Sequence, residues 1–415
     1  MFRYLFLFLL AVTVFAFENK MGTTGYLRIQ TTADDKKANV CFKAEGASTK
    51  YRLGNECETW LELGVYQDIG FDNGIILHNQ VRPVFSGANN SNIDFVRFDE
   101  VYSEVFNVFD NSVSFWVGRR FYKRYDSHIS DYFFFNMSGD GFGINNLDLH
   151  LFRFSYSFMF NRANPSTVPG DKSAFFQSHD LRLEKTFERG EMTLFINYMY
   201  IEGKDFNATQ ILKKADGYAF GVLYKDLKIT EELFGMEGEN ITGLFYGQGL
   251  AKGAGSYSPY LQEPLVASMI NNGTTIESSK TLRFINYNGF ENETFGFMSN
   301  AVYEYRDDKK FSNTQQDWYS VGIRPYWFFH ERSRLVFEGG YDRVYDRINQ
   351  ETHTLTKLTT ALEFALKKGI WSRPVLRLYY TKAYWSANSK GSVGTDYYAN
   401  SIDGDNIGIQ LEYWW

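Results

Sequence analysis

The sequence closes on DNIGIQLEYWW, Asp405 to Trp415. Read at period two, Gly408, Gln410, Glu412 and Trp414 fall on one side. Ile407, Ile409, Leu411, Tyr413 and Trp415 fall on the other. One apolar face and one polar face at that period make a β-strand. Trp414 breaks the pattern, because it sets a large ring among the polar residues. What that ring is for depends on what the rest of the chain builds.

The same alternation runs through almost all of the sequence. In GYLRIQT, Tyr26, Arg28 and Gln30 oppose Leu27 and Ile29. In ETWLELGVY, Trp60, Glu62 and Gly64 oppose Leu61, Leu63 and Val65. In MTLFINYMYI, Thr193, Phe195, Asn197 and Met199 oppose Leu194, Ile196, Tyr198 and Tyr200. In RPVLRLYYTKAYW, Arg377 opposes Leu376 and Leu378. Turn clusters separate the runs: FDNG, SGANNSN, VFDNS, MSGDG, YRDDKK, HERS and YDRINQ. With no linker, charge block or fixed repeat, the chain reads as one continuous β domain.

Composition narrows the class. The chain has 415 residues, 44% hydrophobic and 18% aromatic, with a formal net charge of −6. Past the first twenty residues there is no 18-residue apolar run, which excludes a protein of many membrane-spanning helices. The negative charge gives a nucleic-acid partner no support. The start, MFRYLFLFLLAVTVFAFENK, has a positive Arg3, a short apolar stretch and a small-residue site at Val14-Phe15-Ala16. It reads as a secretory signal over residues 1–16, leaving 17–415 as a single barrel domain. Export implies an oxidising compartment, so Cys41 and Cys57 are expected to be joined, for about 3 kcal/mol in the chain-entropy account. Two cysteines at this spacing build no Cys/His metal site, and nothing calls for a cofactor.

A soluble sandwich also alternates, but here one face is apolar and aromatic and the other carries Arg, Glu, Asp and Gln. Aromatics cluster at expected strand ends, in WFFH, DYFFFN and EYWW, as a membrane girdle requires. A sheet in lipid must close, because no backbone group can stay unpaired in hydrocarbon. About 400 residues at roughly 22 per strand and connection predict an all-β transmembrane antiparallel barrel of about 18 strands.

Several blocks resemble the maltoporins, the trimeric sugar-specific porins of Gram-negative outer membranes. They are ASTKYRLGNECETW (Ala47–Trp60), GRRFYKRYDSHISDYFFFNMSGDGFGINNLDL (Gly118–Leu149), VGIRPYW (Val321–Trp327), IWSRPVLRL (Ile370–Leu378) and the closing EYWW. Residues of about 160–315 match only loosely. The resemblance implies an eighteen-stranded barrel, a homotrimer embedded in outer-membrane lipid, an external loop folded into each pore, and a disulfide at the spacing of Cys41 and Cys57. It also implies a pore with a row of aromatic rings, the greasy slide, facing a polar track. Tyr26, Trp60, Trp371 and Trp414 match the slide, with Trp60 standing where many relatives have tyrosine. Phe245 is the candidate for a mid-chain slide phenylalanine. The ring that a neighbour's second loop lends in the family has no counterpart, since SGANNSN lacks Trp. Arg28, Arg52, Glu62, Arg97, Arg124, Asp126 and Asp131 match the track, and Phe133 replaces a tyrosine that narrows the constriction.

Parity places Tyr26 with Arg28, Trp60 with Glu62, Trp371 with Arg373 and Arg377, and Trp414 with Glu412. Each ring is thus expected to face a charged lumen. A flat ring offers dispersion contact to the C–H face of a sugar, and charged side chains bond its hydroxyl rim. The expected function is facilitated diffusion of maltose, maltodextrins or related oligosaccharides. The competing reading is a general diffusion porin. An enzyme is not expected: there is no G-x-S-x-G motif and no histidine in a recognisable catalytic block.

Overall fold

A computed structural model describes residues 18–33, 40–88, 95–109, 112–163, 174–206, 211–255, 265, 268–270, 276–394 and 396–415. The expected signal segment 1–16 lies outside the described residues, as does most of SGANNSN. Eighteen long strands form the wall. They are β1 (Glu18–Thr32), β2 (Glu58–Gly70), β3 (Ile76–Ala88), β4 (Phe95–Phe106), β5 (Ser114–Arg120), β6 (Gly139–Asp148), β7 (Arg153–Ala163), β8 (Ala174–Thr186) and β9 (Gly190–Ile201). They continue as β10 (Ala215–Asp226), β11 (Glu237–Gly249), β12 (Lys280–Glu291), β13 (Phe295–Asp308), β14 (Thr314–His330), β15 (Ser333–Asp346), β16 (Glu351–Ala365), β17 (Val375–Trp385) and β18 (Asp403–Trp414). Each strand pairs antiparallel with the next. β18 returns to β1, from Tyr26↔Trp414 to Thr32↔Gly408, and closes the barrel.

The two faces of this wall are the reverse of a soluble protein. Outward apolar side chains are open, with Ile196 57%, Phe220 50% and Val321 56% exposed. Inward charged ones are covered, with Arg182 and Arg324 at 1% and Glu363 at 0%. That is the arrangement lipid demands. One polar patch on the outward face closes on itself. Asn240 Nδ2 donates to Asn288 Oδ1 (2.6 Å), Asn288 Nδ2 to Asn286 Oδ1 (2.8 Å), Asn286 Nδ2 to Thr242 Oγ1 (2.8 Å) and Thr242 Oγ1 to Asn240 Oδ1 (3.1 Å). Trp327 and Phe329 of WFFH lie exposed near the end of β14, as a girdle should. The DYFFFN aromatics do not. They belong to a short hairpin, Tyr125–Ser127 with Tyr132–Phe135, and Phe134 and Phe135 are buried. MSGDG, expected as a turn, runs into the start of β6.

That hairpin lies inside the barrel, because the connection 121–138 bonds to strands far apart around the wall. Arg28 of β1 reaches Asp131 (2.6 Å), and Lys123 reaches Glu184 of β8 (2.7 Å). Arg283 of β12 donates to Phe134 O, Tyr132 donates to Glu304 of β13, and Arg324 of β14 donates to Ile129 O. Only a segment in the lumen can touch all of these.

A second insert was not anticipated from the sequence. The connection from β1 to β2, with the Cys41–Cys57 disulfide in place (Cα–Cα 5.8 Å), also packs inward. Lys357 Nζ of β16 donates to Leu53 O (2.7 Å), and Thr381 Oγ1 of β17 donates to Gly54 O (3.2 Å). Tyr51 is its wedge: the hydroxyl bonds Ser320 (2.8 Å), and the ring lies on the paired glycines Gly322 and Gly340. A Cβ at Gly322 would stand 1.9 Å from the ring, and one at Gly340 2.0 Å.

Gly322→Ala or Gly340→Ala should therefore force Tyr51 off the wall, an overpacking cost of about 1–3 kcal/mol. The expected outcome is a less heat-stable barrel with a larger single-channel conductance, read by thermal unfolding and bilayer recording. Unchanged values of both would show that the insert does not depend on this seat.

Candidate functional site

Between the two inserts and the wall formed by β18 and β1–β5 lies a cleft of about 940 Å³. The closing pair of strands sets its aromatic side. Tyr26 and Trp414 are cross-strand partners on β1 and β18, with ring centroids 6.5 Å apart and planes 23° from parallel. The row continues through His128 of the inserted hairpin, 5.8 Å edge-on from Trp414, to Trp371, 5.3 Å from His128. Trp371 lies in the connection between β16 and β17 rather than on a strand, so strand parity does not position it. Its place beside His128 does. Trp60 of β2 forms a separate part of the lining, its Nε1 donating to Glu62 Oε1 (2.9 Å).

The charged groups are paired against one another around these rings. Arg28 and Arg97 lie 5.8 and 5.4 Å from the Trp60 ring, cation–π distances. Arg28 bonds Asp131 and Glu58, and Arg97 bonds Asp99. Arg52, from the disulfide-bearing insert, donates to the Tyr26 hydroxyl (2.6 Å) and pairs with Glu56 (2.7 Å) and Glu412 (3.0 Å). Glu412 in turn receives Arg373 (2.8 Å) and Arg377 (2.9 Å), and the Arg373 guanidinium sits 4.1 Å from the Trp414 ring. Buried charges so arranged are tolerable because each has a partner.

Arg124 differs. Its guanidinium lies between Phe121 (3.9 Å) and Phe133 (4.4 Å), and its buried Nε has no hydrogen-bond partner. Asp126 and Asp131, from the same hairpin, have opposite environments. Burial, and then the neighbouring Asp131 charge, push the Asp126 carboxyl up to about 6. Burial pushes Asp131 the same way, but the Arg52 and Arg28 guanidiniums outweigh it and hold that carboxyl well below the usual range. His128 is held well below its ordinary pKa, first by burial and then by Arg52 and Arg373, against the Glu412 carboxylate. It is neutral, with ring nitrogens 3.3 Å from Arg52 Nη1 and 3.1 Å from Arg373 Nη2.

Of the residues singled out in the sequence, Tyr26, Trp60, Trp414, Arg28, Arg52, Glu62, Arg97, Arg124, Asp126, Asp131 and Phe133 line this one cleft. Trp371 joins through His128. Phe245 does not join. It is 1% exposed and packs with Phe134, Phe135 and Phe195 behind the inserted hairpin, so it offers no open face. Sequence reading missed His128, Phe121, Arg82 and Arg119. Arg82 shares a strand face with Gln80, the signal that would have found it; Arg119 is on β5 just after Gly118, whose φ of 123° interrupts the alternation, and the loop residues Phe121 and His128 carry no period.

The geometry is that of a lined channel, and comparisons with known proteins agree. Among solved structures, the outer membrane protein OpdK of Pseudomonas aeruginosa is similar at 12% identity and a TM-score of 0.50, covering 97% of this chain and 100% of that one. OccAB1 of Acinetobacter baumannii is similar at 9% identity and a TM-score of 0.51, covering 98% of each. OccAB2 of the same organism is similar at 9% identity and a TM-score of 0.50, covering 97% of this chain and 98% of that one. At such identities the likeness is one of fold. The family match is more specific: residues 21–415 match the LamB porins. The closed barrel, the inside-out wall and this match together make the chain a channel of the bacterial outer membrane and not an enzyme, and it belongs to the LamB porin family.

Proposed function

We propose that the protein carries maltose, maltodextrins or related oligosaccharides across the outer membrane by facilitated diffusion. We propose with it that residues 1–16 are a signal peptide, that residues 17–415 form the barrel domain, and that three chains assemble. The observation that carries the reading is the row Tyr26–Trp414–His128–Trp371, with Trp60 on the same cleft, running beside bonded guanidiniums and carboxylates. A sugar lays its C–H face on the rings and exchanges hydroxyl bonds along the charged side. Transport requires many weak positions in sequence rather than one tight one. In this reading Tyr26, Trp60, Trp371 and Trp414 are the slide. Arg28, Arg52, Glu62, Arg97, Arg124, Asp126 and Asp131 are the track, with Phe133 at the constriction. The competing reading, a general diffusion porin, predicts no saturable block of ion current by sugars. Planar-bilayer conductance with a maltodextrin titration separates the two.

Three outcomes are expected. Trp60→Ala and Trp414→Ala should each weaken maltodextrin block by roughly 5–150-fold, the equivalent of about 1–3 kcal/mol of lost stacking, while the open current stays similar or rises. Equal block in folded variants and parent would return both rings to a packing role.

Asp126 should titrate in the pore. As pH falls through about 6 it takes up a proton, one negative charge leaves the cleft, and cation preference declines. Reversal potentials in a salt gradient should show this step in the parent, and Asp126→Asn should lack it and sit at the low-pH value throughout.

Phe133→Tyr should change sugar affinity or flux more than ion conductance, since it adds one O–H beside Arg124. Superimposable sugar titrations for the two proteins would remove Phe133 from the selectivity account.

A further inference from the structure

The inserted segment has a second side. Phe121 and Arg124 face the cleft described above, whereas Tyr122 and Lys123 between them face another, of about 430 Å³. Its other walls are His78 of β3, Tyr102 and Glu104 of β4, Arg120 of β5 and Asn145 of β6. It lies toward the short turns of the barrel, beyond the inserted segment from the first cleft.

The side chains there are held firmly. Glu104 receives Ser114 Oγ (2.5 Å), Arg120 Nη1 (2.9 Å) and Asn145 Nδ2 (3.0 Å). The Tyr122 hydroxyl donates to Asn145 Oδ1 (3.2 Å). His78 Nδ1 is fixed on Asp68 (2.6 Å), and its ring lies between Tyr66 (5.7 Å) and Tyr102 (5.6 Å). Arg120 covers Tyr102 at 4.5 Å, and its buried Nε has no partner. Convergent rings, a fixed carboxylate, amide groups and a guanidinium stacked on an aromatic ring repeat the chemistry of the first cleft. The volume falls within the range of small-ligand sites, about 300–1,000 Å³.

We propose that this second cleft is an exit-side subsite that holds a sugar unit of the same oligosaccharide once the chain has passed the inserted segment. The inference rests on the saccharide reading above. A chain long enough to span both clefts engages both at once, and a short chain engages one. The affinity gained by lengthening the sugar then depends on His78 and Tyr102.

The test titrates maltotriose and maltohexaose against the ion current of the parent, His78→Ala and Tyr102→Leu pores. The expected result is a fall of about threefold or more in the ratio of six-unit to three-unit affinity in both variants, with three-unit affinity little changed. Parent block by both sugars with the ratio unmoved in the variants overturns the second subsite and leaves the saccharide reading standing. No block of the parent at any sugar length overturns both. Should neither variant insert as an open pore, a structure of the parent with maltohexaose decides: a sugar ring against His78 and Tyr102 supports the subsite, and sugar confined to the first cleft overturns it.

Discussion

The barrel can exist in lipid only if every backbone group finds a partner, and that requirement is met last at the seam between β18 and β1. The register there decides more than closure. Because side chains alternate, pairing Tyr26 with Trp414 sends both rings to the lumen and sends Leu27 and Tyr413 to the lipid side. A slip of one residue would reverse every side chain on the strand. The aromatic row is thus built on the seam itself, and ring placement and wall integrity share one set of hydrogen bonds.

Closing eighteen strands leaves a lumen wide enough to need filling, and the filling combines an aromatic pack behind the hairpin with a network of paired charges. Guanidinium and carboxylate side chains alternate from Arg52 through Glu412 to Arg377, Glu363 and Arg334. Removing one member of such a buried chain strands its partner, at roughly 3–5 kcal/mol. The same groups receive the inserts. Arg28 and Arg324 hold the hairpin, and Lys357 holds the disulfide-bearing connection. The charges that line the channel are therefore the charges that anchor what narrows it.

How much of this was legible follows from what each feature depends on. Strands were legible because their signal is local. Period-two alternation in GYLRIQT, ETWLELGVY and IGIQLEYW predicted both the strands and which residues face inward. Trp414 and Trp60 could be assigned from two or three neighbours. The inserts depend on contacts hundreds of residues apart, such as Tyr51 with Ser320, which no window of sequence carries; the hairpin was expected only through the family resemblance, and the disulfide-bearing insert was not expected at all. DYFFFN looked like a girdle because a run of rings at a strand end and a run packed under a hairpin have the same composition. Trp371 was given its direction by a strand parity that does not extend into its connection, yet it meets the row through His128, whose ring touches both Trp371 and Trp414 from a hairpin more than two hundred residues away in the chain. Phe245 had the right parity for the lumen. It lost its place because the hairpin covers it.

The wedge of Tyr51 against Gly322 and Gly340 shows how wall and filter are joined: by a side chain resting on a bare patch of sheet, not by a change in the sheet. The strand count sets the outer diameter, and the inserts set the free cross-section. The two are then separable units of variation. Residues of the inserts can be exchanged to suit a different solute while strand number, register and lipid-facing surface stay as they are. A barrel of this kind offers evolution, or a protein engineer, a fixed frame with a replaceable aperture.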